Sequence, residues 1–359
     1  MSAPANNSTM IERKRILLTG GAGFIGSHLA EALMRRGAKL SIVDNFDSYY
    51  PRSRKEKNLS EIREVGEPEV FPVDICDAAQ LRQVFICVRP EVVIHLAACV
   101  GIRPSILNPH LYEKVNAGVT INLLELMKEF EVRKFIFSSS SSVYGSSNLS
   151  SFIESDVSLR PMSPYASTKL AAELWASNYA QLYGIPTVCL RFFSVYGPRQ
   201  RPDLAIHNFV ARMTRGMPIR LFGDGESSRD YTYVDDVIAG ILAALNYDVL
   251  HEAGGTWDVF NLGSNRPVKL IDLIHVIESA TGIEAIVEFH QAKAGDMPFT
   301  CANISKASER LGFSPRIPLE KGIKEFVSWF RSRSQCRSTI SHGFLSPSSP
   351  KSRNNSRSA

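Results

Sequence analysis

The sequence predicts a doubly wound α/β fold, a parallel sheet flanked by helices and followed by a smaller C-terminal α/β domain. Three observations predict it. The apolar run Ile16-Leu17-Leu18 meets three glycines spaced three apart, Gly20, Gly23 and Gly26, before a helix-period pattern begins. Apolar runs of strand length then alternate with helix-length segments as far as Phe192, the pattern of right-handed crossovers in a parallel sheet. The second such run ends Ile42-Val43-Asp44, placing a carboxylate about eighteen residues beyond the last glycine.

Strand, glycine turn and helix together make a phosphate-binding corner. Glycine lets the backbone turn sharply and approach a pyrophosphate, which the amides and dipole of the new helix neutralise. Asp44 suits the hydroxyls of an adenine ribose and repels a 2'-phosphate, so the expected cofactor is NAD rather than NADP. The first helix is expected over Phe24 to Arg36, stopped by Gly37, and the second strand over Lys39 to Val43. A charged helix follows near Lys55 to Val65. The third strand is expected over Val70 to Asp74, whose carboxylate would reach the adenine edge, and Asp77 caps a helix to Val88.

The run from Glu91 to Ala98 reads as a buried strand whose small last residues, Ala97 and Ala98, let a cofactor pass closely; His95 inside it reads as a core histidine. A long helix is expected from Pro109 to Phe130 and a fifth strand from Lys134 to Phe137, opening into Ser138-Ser139-Ser140-Ser141-Ser142. At the C-terminal end of a central strand, where doubly wound sheets bind ligands, these hydroxyls face a substrate. Pro164 to Tyr183 is the next helix and Thr187 to Phe192 the sixth strand. Beyond it the elements shorten: a Pro/Arg loop from Ser194 to Asp203, helices over Ile206–Arg215, Asp235–Leu245, Leu270–Thr281, Ser305–Leu311 and Leu319–Phe330, and strands over Ile219–Phe222, Trp257–Leu262 and Ala285–Phe289. Residues 14–192 are therefore expected to form the dinucleotide domain, and 193–330 mainly a substrate domain with some segments returning to the first.

Composition narrows the function classes. The 359 residues carry a net charge of +5 and 44% hydrophobic residues, ordinary for a globular protein. Six of the basic residues, Arg331, Arg333, Arg337, Lys351, Arg353 and Arg357, lie after Phe330 with no acidic residue among them. The remainder is close to neutral, which argues against a nucleic-acid partner. The tail over 331–359, rich in Ser, Asn and Pro, reads as disordered, as does the arm over 1–13. No apolar run reaches membrane-spanning length and the first residues lack the apolar core of a signal peptide. The six cysteines show no C-x-x-C spacing. Free thiols in a cytoplasmic protein are the expectation.

Tyr165-Ala166-Ser167-Thr168-Lys169 follows a helix-starting proline, so the phenol and the ammonium share one face. A lysine cation and a nicotinamide ring nearby favour the tyrosinate, which equips Tyr165 as a base.

With Gly20-Gly21-Ala22-Gly23-Phe24-Ile25-Gly26-Ser27, the serine run ending Val143-Tyr144-Gly145, Ser163-Pro164-Tyr165-Ala166-Ser167-Thr168-Lys169 and Arg191-Phe192-Phe193-Ser194-Val195-Tyr196-Gly197-Pro198, the chain resembles the extended short-chain dehydrogenase/reductases. The G-x-x-G-x-x-G spacing is that superfamily's own, on a Rossmann-type sheet. Over roughly Lys14 to Phe330 it is similar to NAD-dependent nucleotide-sugar epimerases. The resemblance implies Ser140, Tyr165 and Lys169 as the catalytic trio: Tyr165 takes the proton of the sugar 4-hydroxyl as C4 gives hydride to NAD, Ser140 holds the same oxygen, and Lys169 binds the nicotinamide ribose. The 4-keto sugar then turns and takes hydride back on its other face. It also implies a cofactor site of Gly20, Gly23, Phe24, Ile25, Gly26, Asp44, Asn45, Asp74, Ile75, Leu96, Ala97, Ala98, Asn116, Ser138, Ser139, Tyr165, Lys169, Phe192 and Val195. A homodimer packed through the helices around Tyr112–Phe130 and Tyr165–Tyr183 is implied as well.

Ser141 and Ser142 beside Ser140 carry no carboxylate, whereas the resembling 4,6-dehydratases and decarboxylases have one there; epimerisation is favoured. Within the epimerases, Gly197-Pro198-Arg199-Gln200-Arg201-Pro202-Asp203 and Gly101-Ile102-Arg103-Pro104-Ser105 resemble UDP-glucuronate 4-epimerases, with UDP-glucose or UDP-N-acetylglucosamine 4-epimerisation, decarboxylation and a non-enzymatic dinucleotide sensor as alternatives. A substrate C6 carboxylate suits hydroxyls and an arginine; Arg199 and Arg201 either meet it or have the plainer role of bracing their loop or binding diphosphate. The implied UDP-sugar site is Arg103, Ser105, Ser140, Ser141, Ser142, Tyr165, Ser194, Arg201, Asn208, Phe222 near the uracil, Arg229 on the diphosphate, and Lys293 and Asp296. Lys293 stands where many relatives have arginine, and a lysine cannot give the diphosphate the bidentate grip of a guanidinium.

Overall fold

The computed structural model describes residues 11–145, 150–252, 255–291 and 297–341. In chain order the elements are β1 (Arg15–Thr19), α1 (Phe24–Met34), β2 (Lys39–Val43), α2 (Arg52–Val65), β3 (Glu69–Phe71), α3 (Ala78–Val88), β4 (Val92–His95), α4 (Ile102–Leu107), α5 (Pro109–Tyr112), α6 (Val119–Glu129), β5 (Lys134–Ser140), α7 (Pro164–Tyr183) and β6 (Thr187–Phe192). They continue through β7 (Ser194–Tyr196), α8 (Ala205–Met213), β8 (Ile219–Phe222), β9 (Ser228–Tyr233), α9 (Val234–Asn246), α10 (Val249–Glu252), β10 (Trp257–Leu262), β11 (Pro267–Lys269), α11 (Leu270–Thr281), β12 (Val287–His290), α12 (Ser305–Leu311) and α13 (Leu319–Ser341).

Seven strands pair in the order β10-β6-β5-β4-β1-β2-β3, all in parallel. The chain winds outward one way from β1 through β2 and β3, then returns to β4 on the other side of β1. The crevice of such a sheet opens at the carboxyl ends of the two strands where the order reverses, here β1 and β4. Each face of the sheet buries an apolar core: Leu18, Ile42, Ile94, Ile136 and Leu190 on one side, Leu17, Val43, Val93, Phe135 and Phe137 on the other. This alternation along every strand is the period of two that a doubly covered sheet requires. The C-terminal half adds two small sheets, β11-β9-β7 and β12-β8, and sends β10 back to pair with β6.

Local sequence explains the boundaries. Asp77 caps α3 by accepting from Gln80 N at 2.9 Å, and Ser163 caps α7 by accepting from Ala166 N at 3.2 Å with Pro164 in the first turn. β3 stops at Phe71 instead of running to Asp74, because Pro72 has no N–H for the ladder. The long helix expected from Pro109 is α5, a wide π-helical turn over Glu113–Gly118, and α6. The loop expected after Ser194 opens with β7, which pairs with β9, a strand that sequence periodicity did not disclose.

Two expected disordered ends are partly ordered. Ile11 is fully buried and Arg13 N donates to Gly37 O at 2.8 Å, which fixes the end of the N-terminal arm. The last helix continues past Phe330 to Ser341 because its first basic residues find acceptors: Arg331 donates to Thr281 O at 2.6 Å and Arg333 pairs with Glu61. The rest of the tail lies outside the described residues. No helix among those described is long and apolar enough to cross a membrane.

A Cβ at Gly26 would stand 2.1 Å from Gly20 O and 2.8 Å from Gly21 Cα, backbone atoms that cannot give way. Gly26→Ala is expected to destabilise the fold by about 1–3 kcal/mol, the cost of overpacking, measured as a lowered urea midpoint with unchanged slope; an unchanged midpoint refutes the close packing of this turn.

Candidate active site

The crevice begins where the turn after β1 touches the segment after β4. Gly20 has a φ of +72°, and a Cβ there would stand 2.8 Å from Ala97 N, so only glycine closes this joint. Thr19 seals it, its hydroxyl accepting from Ala97 N at 3.2 Å and lying 2.7 Å from His95 Nδ1. Burial, then the charge of Lys169, pushes the His95 pKa down to about 3. It is the neutral core histidine its apolar run implies. α1 starts at Gly23 with no side chain capping its first amides, which suits an anionic ligand.

Asp44 stands over this turn. Its Oδ2 accepts from Ala22 N at 3.2 Å, and its Oδ1 accepts from Phe46 N at 2.9 Å and from Lys55 Nζ at 3.2 Å. Acceptor capacity remains for a ribose hydroxyl. Lys55 was read only as part of a charged helix; nothing in its spacing marked it as the partner of Asp44. Asn45 and Asp74 meet, Nδ2 donating to Oδ2 at 3.2 Å, while Asp74 Oδ1 accepts from Cys76 N at 2.8 Å. Ile75 is buried, and Leu96, Ala97 and Ala98 are half-buried.

Asn116 sits in the π-helical turn with its side chain buried. It accepts from Cys99 N at 2.8 Å and donates to Cys99 O at 3.0 Å and Thr168 Oγ1 at 3.1 Å. Its polar atoms are thus spent on tying the loop after β4 to α7, so it positions the site through the backbone.

The serine run and the tyrosine–lysine helix converge at the end of β5. Ser138 Oγ donates to His95 O at 2.9 Å, and its carbonyl accepts from Lys169 Nζ at 2.7 Å. Ser139 Oγ is buried without a hydrogen-bond partner among the described residues. Ser142 donates to Ser140 Oγ at 2.9 Å from its hydroxyl and 3.2 Å from its amide, and Ser140 is hydrogen-bonded to the Tyr165 hydroxyl. Ser141 is half-buried beside them.

Lys169 is buried, with Nζ 4.9 Å from the Phe137 ring centre. Desolvation lowers its pKa to about 8 against the opposing charge of Glu173. Tyr165 meets Tyr112 edge to face at 6.3 Å. Desolvation raises its phenol, opposed by the Ser140 hydrogen bond and the Arg201 charge. Arg201 is thus a cation that acts on the phenol in the protein alone.

Arg201 forks onto Asp203 at 3.0 and 2.9 Å and lies 5.9 Å from the Tyr49 ring centre. Arg199 has the other role left open for this pair: it braces the loop, bridging Glu31 on α1 and Glu61 on α2. Arg103 stacks 4.8 Å from the centre of Phe222, which faces His290 at 5.4 Å. Phe192, Ser194 and Val195 are half-buried at the β6–β7 corner, Asn208 is exposed on α8, and Arg229 on β9 donates to Ser228 O at 3.0 Å. Ser105 is not brought to the crevice surface: it is fully buried, its hydroxyl donating to Ile102 O. Lys293 and Asp296 lie outside the described residues.

Comparison with known proteins agrees with this geometry. The NAD dependent epimerase/dehydratase family matches residues 16–263. The chain belongs to that family. It is 37% identical to a UDP-glucuronate 4-epimerase of Thermodesulfobacterium geofontis over 87% of this chain and 95% of that one. A crystal structure of UDP-glucuronic acid 4-epimerase from Bacillus cereus with UDP-glucuronic acid and NAD superposes with a TM-score of 0.82 at 36% identity, covering 89% and 99% of the two chains. A UDP-glucose 4-epimerase from Thermotoga maritima with UDP-glucose gives 0.81 at 34%, with the same coverage. The crevice fits the family's dinucleotide. The joint at Gly20 excludes any Cβ, the first amides of α1 have no capping side chain, Asp44 has acceptor capacity left, and the Ser139 hydroxyl is unpartnered among the described residues.

Proposed function

We propose that the chain is an NAD-dependent UDP-glucuronate 4-epimerase. The observation that carries the substrate is Arg201, a largely buried guanidinium close enough to Tyr165 to act on its phenol, in a cleft whose serine edge offers hydroxyls and no carboxylate. Such a site favours an acidic sugar by charge-assisted hydrogen bonds, and among the described residues its serine edge holds no carboxylate to serve elimination at a neighbouring carbon.

The glycine turn and Asp44 would hold the dinucleotide, and Lys169 would hold its nicotinamide ribose. NAD, when bound, supplies a centre that takes hydride from the sugar C4 and returns it to the opposite face. Tyr165 receives the proton of the sugar O4, relayed or shared with Ser140, whose own hydroxyl is oriented by Ser142. In the return step Tyr165 gives the proton back to O4. Arg201 steers the C6 carboxylate and Phe222 with Arg103 forms the platform for the base. Neither oxidant nor reductant is consumed, because the cofactor ends each cycle as it began.

The same helices support a homodimer. Leu174, Trp175, Leu182 and Tyr183 stand exposed on α7, an apolar stripe that a second copy would cover in a bundle with α6. The free state of all five described cysteines accords with a cytoplasmic location.

Incubated with UDP-glucuronate, the purified protein is expected to form the C4 epimer; turnover of UDP-glucose alone refutes the substrate. Arg201→Met is expected to lower kcat/KM for UDP-glucuronate about 10- to 100-fold, the worth of a charge-assisted hydrogen bond, with a smaller change for UDP-glucose. Tyr165→Phe is expected to keep NAD binding and lose about 10² to 10⁴ in kcat; an unchanged rate removes Tyr165 from the chemistry. Light scattering on a sizing column is expected to give twice the chain mass, and a monomer mass overturns the dimer.

A further inference from the structure

Glu173 lies one helical turn beyond Lys169 on α7, so Tyr165, Lys169 and Glu173 follow each other down one face of the helix. Its carboxylate is buried and takes a two-pronged grip from Arg191 on β6: Nε donates to Oε1 at 3.0 Å and Nη2 to Oε2 at 2.8 Å, with both side chains at most 4% exposed. Arg191 in turn lies 4.8 Å from the ring centre of Tyr144, whose hydroxyl donates to Asn261 Oδ1 at 2.7 Å. Nothing in the mechanism above uses this pair, yet it occupies the layer directly beneath the reacting groups.

The surroundings of Lys169 show what the pair does. β5 offers the Ser138 carbonyl and the Phe137 ring, both neutral acceptors. β4 and the loop after it bring His95 and Cys99, β6 brings Cys189, and α7 brings Tyr165 and Glu173. His95 is neutral with its pKa near 3, and the Cys99 thiol is pushed up to about 11 and the Cys189 thiol further by burial. Among these groups Glu173, gripped by Arg191, is the one carboxylate.

We propose that Glu173 and Arg191 are a positioning pair for the reaction, Glu173 supplying the counter-charge that keeps the dry Lys169 an ammonium and Arg191 fixing that carboxylate and moderating its field. Too little negative charge leaves Lys169 a neutral amine that cannot assist the ribose or the tyrosinate. The proposal rests on the epimerase reading only for its rate measurement.

The direct test is cofactor-free protein labelled with ¹⁵N at lysine Nζ, the Lys169 signal being the one missing in Lys169→Met. Removing the anion in Glu173→Gln is expected to lower the Lys169 pKa by about one to two units, the usual effect of an adjacent opposite charge. Removing the cation in Arg191→Met is expected to raise it. Glu173→Gln with Arg191→Met leaves no unpaired buried charge and is expected to lie below the wild type but above Glu173→Gln alone, which keeps the measurement open where a single variant misfolds. Glu173→Asp is expected to restore most of the shift. The alkaline limb of kcat follows the same order, because activity needs the ammonium and is lost as pH rises through its pKa. A Lys169 pKa that is unmoved in every folded variant, with kcat lowered evenly across pH, overturns the proposal and leaves the pair a structural clamp. Failure of the substrate assignment shows instead as a wild type inactive on UDP-glucuronate with the Lys169 titration still ordered as stated.

Discussion

A single ammonium held out of water organises the centre of this protein. Moving a lysine from solvent to a dry interior costs several kcal/mol unless its donors are met and its charge is answered. Lys169 is 3% exposed, and its pocket meets that demand from three directions: a carbonyl at the end of β5, an aromatic face, and a carboxylate a turn away. Each of these constrains the fold. The carbonyl requires that β5 deliver Ser138 where α7 crosses it, which the Ser163 cap and Pro164 secure by fixing where α7 begins. Phe137 belongs at once to the apolar core and to the cation's shell, so core packing and the chemistry of the site share a residue.

The second constraint is the joint between β1 and β4. Gly20 meets Ala97 with no room for a side chain, and Thr19 completes the contact from the neighbouring position. A crevice narrow enough to hold a dinucleotide against the sheet needs its two walls in backbone contact at the floor, and glycine is what permits it. Asn116 extends the arrangement outward by tying the loop after β4 to α7. The π-helical turn in which it sits is the local departure from regular helix that coincides with that reach.

Much of this was legible in the sequence because it is carried by local rules. The glycine spacing, the strand ending in Asp44, the Ser163-Pro164 helix start and the four-residue step from Tyr165 to Lys169 all depend on neighbours in the chain. What was not legible depends on distant partners. No local signal distinguishes Arg199, drawn to Glu31 and Glu61, from Arg201, drawn to Asp203 and set near Tyr165. The short strand β7 pairs with β9, which β11 flanks on its other side, and the inward-turned Ser105 hydroxyl donates its hydrogen bond to Ile102 O. The basic tail is helical at its start for the same kind of reason: composition describes Arg331 and Arg333 as solvated charges, while the fold supplies Thr281 O and Glu61.

Those long-range ion pairs also bear on specificity. Arg199 bridges two carboxylates from α1 and α2, and His28 on α1 bonds Pro198 O at 3.0 Å, so the loop carrying both arginines is anchored to the dinucleotide-binding helices. The His28 pKa is pushed down to about 4, by burial and then by Arg199, so this bond holds without a further charge at neutral pH. Counting partners then separates the two arginines. Arg199 is spent on two carboxylates, Glu31 and Glu61, which Arg35 and Arg333 also engage. Arg201 is paired, among the described residues, with Asp203, and a guanidinium has five donors of which that fork uses two. Under the function proposed above, its remaining donors would gain most from a second carboxylate on the sugar, whereas a neutral hexose would leave the Arg201–Asp203 pair as it is.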